Sequence, residues 1–483
     1  MLVFYLIFMG EIFEEKCGIC LTHTLNDCYD FMRALQHRGR DSAGIAAKTD
    51  GRIDVIKWEG SVDKITRSKL ANLFKEIDNR EYHTFMGHVR YATRGKNEVL
   101  QDAHPVCVGG NEIDNGSHRF MLDCDAVGLH NGQISIDDIL KDIETSYDEL
   151  DTKALMEFTL KYGADEIIDN IAGSYTFIFT SKDSLNVDLL RDKHGMMPGV
   201  LGEKDRKYVF ASEDIALRKN HADIVKDLEP GSFYEFRSDG RMRKKHQSES
   251  ESQHCFFQWN YIAHAQSTLE KTGVWSLRRR LGEKLAQHIT PDLDIVTYLP
   301  DCPRTAADSY AEYLGKPFKE VFYKLREERS FQGPDKEERK SSIRQNLYVT
   351  PIIDGIPAEK FLAERSIGII DDSIIRGNNA KHARDLLLDM GVSDIHMISY
   401  TPPVGIIGKD SVKRGCTFGI DMPPDDEFIA RERTLEEISE KMGMHVHYLA
   451  YEAMLEAFRE EGLDPEKLCT YCIGGKHPFT SYR

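Results

Sequence analysis

Two adjacent carboxylates, Asp371 and Asp372, follow an apolar run, Ser366-Ile-Gly-Ile-Ile370, and open a short loop that closes on Arg376-Gly377. A helical pattern follows from Ala380 towards Met390. Such acids can accept hydrogen bonds from ribose hydroxyls. Backbone N–H groups from Ser373 to Asn379, at the start of the helix, can cradle a 5′-phosphate. An Asp pair alone would be a solvated feature of a βα turn. Strand, acids, glycine loop and helix in one run point instead to phosphoribose binding. A second reactive candidate is Cys17, between Glu14-Glu15-Lys16 and Gly18-Ile19. By itself it is a small buried residue opening a strand. A third is Cys469-Thr-Tyr-Cys472, a C-x-x-C pair that can bind zinc, cycle as a dithiol or do neither.

These groups need elements to position them. The chain has 483 residues, too many for one ordinary core, so two or three domains are expected. Its hydrophobic fraction of 41% and charged fraction of 30% are those of a soluble globular protein. No window approaches a membrane span, and the apolar start Leu2–Met9 lacks the flank and cleavage site of a secretory signal. A cytoplasmic location is therefore expected, with no membrane partner. A net charge of −17 argues against a nucleic-acid binder, which needs a basic face. The ten cysteines are then thiols, a nucleophile or metal ligands rather than disulfides. The basic run Arg241-Met-Arg-Lys-Lys245 leads into Ser248-Glu-Ser-Glu-Ser252, as a solvated linker or hairpin end would, and marks a domain boundary. From Cys255 onward helices alternate with apolar strands, Asp294–Leu299 being the clearest early one, which predicts a parallel sheet covered on both faces. Ligands bind at the carboxyl ends of such strands, where both Pro300-Asp-Cys-Pro303 and the Asp371-Asp372 loop fall.

Several runs in the front half occur in a telling order. Leu35-Gln-His-Arg-Gly-Arg-Asp-Ser-Ala-Gly44 ends a helix and turns into a strand; Gly87-His-Val-Arg-Tyr-Ala-Thr-Arg-Gly95 is a strand and loop; His130-Asn-Gly-Gln-Ile134 reads as a tight Asn-Gly turn. Together, from Cys17 to Phe236, they resemble the glutaminase domain of the N-terminal-nucleophile (Ntn) amidotransferases. In that family the cysteine must be the first residue of the mature chain. Its free α-amino group, with a pKa of about 8, then serves as general base for its own thiol. The resemblance therefore implies that Met1–Lys16 is a propeptide. It also implies that Arg90 pairs with the glutamine α-carboxylate and that Asn131 and Gly132 form the oxyanion hole. Asp151 is implied to bind the glutamine amino group. Gln36, His37 and Arg38 are expected as scaffold. Arg191-Asp-Lys-His-Gly-Met-Met-Pro198 resembles a family run in which Met197 replaces an arginine. Ala211-Ser-Glu-Asp214 and Glu229-Pro-Gly-Ser232 follow in the family's order.

The back half resembles the type I phosphoribosyltransferases, whose phosphoribosyl-pyrophosphate (PRPP) signature is similar to residues 366–379. That implies PRPP contacts from Asp371, Asp372, Ser373, Arg376, Gly377, Asn378 and Asn379, the two asparagines standing where the family usually has threonines. Mg²⁺ would ride on the pyrophosphate and ribose oxygens beside Asp371 and Asp372. Pro300–Pro303 is similar to the pyrophosphate loop, with Cys302 and Pro303 as departures. Lys324, Arg326 and Arg329 resemble the basic residues of a flap that folds over PRPP. The contexts of Cys255, Cys416, Cys469 and Cys472 resemble the iron–sulfur members of the glutamine PRPP amidotransferases, which implies a [4Fe–4S] cluster, with zinc as the other occupant.

From Cys17 to Pro478 the whole chain is similar to that family. The expectation is an Ntn-hydrolase αββα sandwich (17–245, after a propeptide 1–16) and a type I phosphoribosyltransferase domain with a parallel sheet (255–483), mixing α/β and α+β. The implied partners are glutamine and PRPP, purine nucleotides as inhibitors, and further copies of the chain in a homo-oligomer. Two other functions fit the departures: an amidotransferase with another phosphosugar acceptor, and a non-catalytic regulator that binds PRPP or nucleotide.

Overall fold

The computed structural model describes residues 17–77, 81–91, 100, 102–134, 150–324, 347–420, 422–425 and 427–479. In the first half two antiparallel sheets face each other. Nine strands run in the order Asp223–Asp227, Val200–Lys204, Lys207–Ala211, Gly18–Thr22, Thr84–Arg90, Ser42–Thr49, Arg52–Glu59, His118–Leu122, Asn111–Asp114. Six form the other sheet: Met242–Gln247, Ser232–Arg237, Asn186–Arg191, Gly173–Ser181, Ala126–Ile134, Val106–Val108.

Strand alternation decides the layers. Along Gly18–Thr22, Ile19 and Leu21 enter the core between the sheets with Val127, Leu129, Ile178 and Leu189. Cys20 points the other way, into the core that Phe31 and Met32 of the helix Leu25–Ala34 complete. The helix Asp151–Tyr162 packs Ala154, Leu155 and Phe158 against the second sheet. The result is helix, sheet, sheet, helix. The basic run is the outermost strand of the six-stranded sheet, paired with Ser232–Arg237, so it is the second arm of a hairpin and not a linker.

The second half is a parallel sheet of four strands in the order Ile295–Tyr298, Ser366–Asp371, Asp394–Ser399, His445–Tyr448. Each face carries a core. Ile370 and Ile398 pack with Leu277 and Leu281 of the helix Val274–His288 and with Met454 and Phe458 of Tyr451–Glu460. Ile367, Ile369 and Met397 pack on the other face with Ala383 and Leu387 of Asn378–Asp389. Each fully buried aliphatic side chain contributes roughly 1.5–3 kcal/mol. A short parallel pairing of His254-Cys255 with Leu468-Cys469 ties the start of this half to its last described segment. No helix among the described residues is long and apolar enough to cross a membrane.

Candidate active site

Cys17 is buried at the mouth of the strand Gly18–Thr22, and the pairing of Gly18 with Val89 sets it beside Arg90, the last residue of the neighbouring strand. Its Sγ lies 3.9 Å from the Tyr91 carbonyl. The strand is held in place by Ser212, whose Oγ accepts from the Ile19 N–H at 3.0 Å and donates to the Ile19 carbonyl at 3.3 Å. Arg90 is also buried.

The tight turn expected at Asn131-Gly132 is absent. Both residues continue the strand Ala126–Ile134, Asn131 opposite Thr176 and Gly132 opposite Tyr175. The ladder to Gly173–Ser181 satisfies the buried backbone groups, and that requirement overrides the turn preference of Asn-Gly. Gly132 still needs to be glycine: its φ is +134°, and a Cβ there would meet the Ser174 carbonyl oxygen at 1.9 Å. Asn131 is fully buried, yet its Nδ2 and Oδ1 meet no hydrogen-bond partner among the described residues. Such an orphan costs about 1–3 kcal/mol unless a ligand completes it.

Asp151 is the first residue of its helix. Its Oδ2 accepts from the Ile134 N–H at 3.3 Å and its Oδ1 lies 3.4 Å from His130 Nδ1, which fastens the acid to the end of the Asn131 strand. The two sheets are bridged by His88, whose Nε2 lies 3.0 Å from the His130 carbonyl. Burial pushes His88 down to about 3, so its ring is neutral and donates this hydrogen bond. Cys17, Arg90, Asn131 and Gly132 therefore come from strand ends of two facing sheets, and Asp151 from the start of a helix fastened to one of them.

A buried polar chain leads away from Cys17. The Cys17 carbonyl accepts from Arg38 Nε at 2.9 Å, and Arg38 Nη1 donates to Glu213 Oε1 at 2.5 Å. His37 Nε2 lies 2.9 Å from the same oxygen. The other oxygen, Oε2, takes hydrogen bonds from the second half: the His264 N–H at 2.9 Å and Ser267 Oγ at 2.6 Å. Gln258 Oε1 lies 3.4 Å from Arg38 Nη2, and Gln258 Nε2 reaches Met197 Sδ at 3.5 Å. Met197, where the resembled family has an arginine, is thus part of the contact between the halves. The roles of Glu213, Gln258 and Ser267 escaped the sequence, since partners 175 and 220 positions apart leave no local pattern.

In the second half, Asp371 ends its strand and Asp372 begins the loop. Asp371 Oδ1 accepts from the Asp372 N–H at 2.9 Å, and Asp372 Oδ1 accepts from Ser373 Oγ at 2.9 Å. Arg376 is half-buried, and Gly377, at φ +80°, stands as N-cap of the helix whose first residues are Asn378 and Asn379. The first N–H groups of a helix have no partner within it and face the loop. The strand Ile295–Tyr298 delivers Pro300–Pro303 to the same edge of the sheet; the Pro300–Asp301 peptide is cis, and Pro303 caps the helix Arg304–Leu314. The Cys302 thiol lies 3.2 Å from the Asn260 carbonyl and 3.4 Å from that of Tyr261. Lys324 is exposed at the end of a strand paired with Leu347–Val349, while Arg326 and Arg329 lie outside the described residues. Replacing Gly377 by alanine would impose a left-handed conformation on a side chain whose Cβ meets Met442 Sδ at 2.6 Å. The expected loss is about 1–2 kcal/mol, read as a lower denaturant midpoint.

Cys255, Cys416, Cys469 and Cys472 are brought together. Cys255 pairs with Cys469 across the short ribbon, and Cys416 packs against the core that holds Cys255 and Cys472. Burial pushes Cys469 up to about 12 and Cys255 and Cys472 well above the usual thiol range, and the neighbouring cysteines of the set add to each shift. Thiolates gathered here need a cation.

The fold is an Ntn-type sandwich ahead of a phosphoribosyltransferase-type parallel sheet. Residues 132–269 match the family described as a glutamine amidotransferase domain. The curated amidophosphoribosyltransferase of Pyrococcus horikoshii is 29% identical, over 97% of this chain and 98% of its own. That of Synechococcus elongatus is 28% identical over 96% of this chain and 92% of its own. Among solved structures, the glutamine PRPP amidotransferase of B. subtilis complexed with ADP and GMP superposes with a TM-score of 0.76 at 24% identity, over 96% of this chain and 97% of that one. The chain is similar to these curated amidophosphoribosyltransferases over nearly its whole length.

Proposed function

We propose that this protein is a glutamine-dependent amidophosphoribosyltransferase, which makes 5-phosphoribosylamine, glutamate and pyrophosphate from PRPP, glutamine and water, the first committed step of de novo purine synthesis. The observation that carries this reading is the buried chain from the Cys17 carbonyl through Arg38 and Glu213 to His264 and Ser267, which joins the Cys17 site to the second half of the chain.

Once residues 1–16 are removed, the Cys17 α-amino group takes the thiol proton and Sγ attacks the glutamine side-chain carbonyl. Arg90 holds the α-carboxylate and Asp151 the α-ammonium. The orphaned Asn131 amide and the Gly132 N–H receive the oxyanion. Ammonia leaves, and water hydrolyses the thioester to glutamate. In the second domain Asp371 and Asp372 hold the ribose hydroxyls, and the loop from Ser373 to Asn379 holds the 5′-phosphate. Ammonia displaces pyrophosphate at C1, with Lys324, Arg326 and Arg329 beside the leaving group. The hard oxygens of Asp371 and Asp372 suit Mg²⁺, which neutralises the pyrophosphate when bound.

Four mostly buried thiols from three segments fit a [4Fe–4S] cluster. Among the described residues no three of these sulfurs close to within 4.8 Å of one another. Zinc, with thiolates at about 2.3 Å, draws them closer than that. The cluster would fasten the C-terminal segment; the reaction itself moves no electrons. A homo-oligomer inhibited by purine nucleotides, working in the cytoplasm, completes the proposal.

The test is an anaerobic assay of the mature protein that follows PRPP- and glutamine-dependent pyrophosphate release together with intact mass. Release by a chain starting at Cys17 is expected. Glutaminase activity without pyrophosphate release would point to another phosphosugar acceptor, and PRPP binding by an inert mature chain to a regulator. Asn131→Ala is expected to lower glutaminase kcat by about 10²–10³ with little change in the ammonia-dependent reaction.

A further inference from the structure

The parallel sheet carries a second cluster of ligating side chains, away from the Asp371-Asp372 loop. Asp394-Ile-His396 and His445-Val-His447 begin adjacent strands, and the pairing of His396 with His445 sets the two short runs in register. Alternation sends all four polar side chains to one face. The loop lies at the carboxyl ends of the strands and this cluster at their amino ends, roughly 15 Å along the sheet at about 3.3 Å per residue.

The contacts are close. His396 Nε2 lies 2.8 Å from Asp394 Oδ2, and His445 Nε2 lies 3.4 Å from Asp394 Oδ1. The His396 and His445 rings stack at 4.7 Å, and the three ligand atoms all fall within 4.8 Å of one another. His396 Nδ1 faces His447 Nε2 at 3.0 Å. Asp394, His396 and His445 thus bring one ligand atom each to a common place at the start of the two strands.

We propose that Asp394, His396 and His445 bind a first-row transition-metal ion, Zn²⁺ by chemistry, with His447 orienting His396 through its second ring nitrogen. Two imidazoles and one carboxylate are a borderline N/O donor set that suits zinc and leaves a position for water. A histidine ligand donating its other N–H to a fixed acceptor is the usual supporting arrangement. His445 and Asp394 are open enough for an ion to enter, with side-chain exposures of 63% and 41%. The site is independent of both half-reactions.

The cluster-replete full-length protein is titrated with Zn²⁺ by calorimetry and with Co²⁺ by difference absorption. One strong Zn²⁺ site is expected, together with Co²⁺ d–d bands free of thiolate charge transfer. His445→Ala, at an exposed position, should fold normally and weaken Zn²⁺ by about 100-fold or more, and His447→Ala by about 10–100-fold. Absence of a Zn²⁺ site, an unchanged affinity in His445→Ala, or a thiolate band with Co²⁺ would each overturn the proposal.

Discussion

Cys17→Ala removes glutamine-dependent pyrophosphate release and leaves the ammonia-dependent reaction essentially unchanged. Losing a nucleophile that acts together with its base costs about 10⁴-fold or more. The variant keeps a free α-amino group but has nothing for it to deprotonate. Structure should survive, because the sulfur's contact to the Tyr91 carbonyl is long, at 3.9 Å, and the strand is held at Ile19 by Ser212. The Asp371-Asp372 loop belongs to the other domain, so ammonia from solvent can still reach it. Paired steady-state assays with glutamine and with ammonium chloride measure the split. Equal loss in both assays would sink the assignment of Cys17 as nucleophile.

Glu213→Gln is the second large expected effect. Glu213 and Arg38 are both fully buried, and the amide that replaces the carboxylate leaves the guanidinium without a counter-charge. Breaking such a pair from one side costs about 3–5 kcal/mol. Burial alone would raise the Glu213 carboxyl, but the charges of His37 and Arg38 and the hydrogen bonds from His37 and Ser267 hold it well below its usual value of 4.5. A depressed folded value means that this stabilisation is fully present above pH 4.5 and is lost as the pH falls below it. The stability gap between wild type and variant should therefore be wide at neutral pH and close in acid, as read by urea melts across pH. A gap that stays constant with pH would refute the ion-pair account. Because Arg38 also holds the Cys17 carbonyl, the glutamine reaction should fall further than the ammonia reaction.

Local chemistry made much of this legible. The run 366–379 reads as strand, acids, loop and helix because each part has its own composition, and it folds that way. The cysteines were placed by context and do gather. Where the sequence misled, longer-range pairing had the stronger claim. Asn131-Gly132 looks like a hairpin turn, but a partner strand some 40 residues later takes up its backbone groups, and only the +134° φ of Gly132 preserves the local oddity. Lys324 is seen at a strand end, whereas the rest of the expected flap lies outside the described residues. The histidine cluster went unread because D-x-H and H-x-H lie 49 positions apart and only strand register brings them together.

The strand Met242–Gln247 has one more consequence. As the last strand of its sheet among the described residues it offers a row of backbone donors and acceptors to any extended chain that drifts past. Among the described residues Arg243 and Lys245 ion-pair with Glu235 and Lys244 with Glu229, three cations on two carboxylates, so the rim carries positive charge. A second copy approaching in register brings the same excess and is repelled. Salt weakens that repulsion within a Debye length of about 8 Å at physiological ionic strength, so the barrier to fibre-like association at this rim is lowest in concentrated salt.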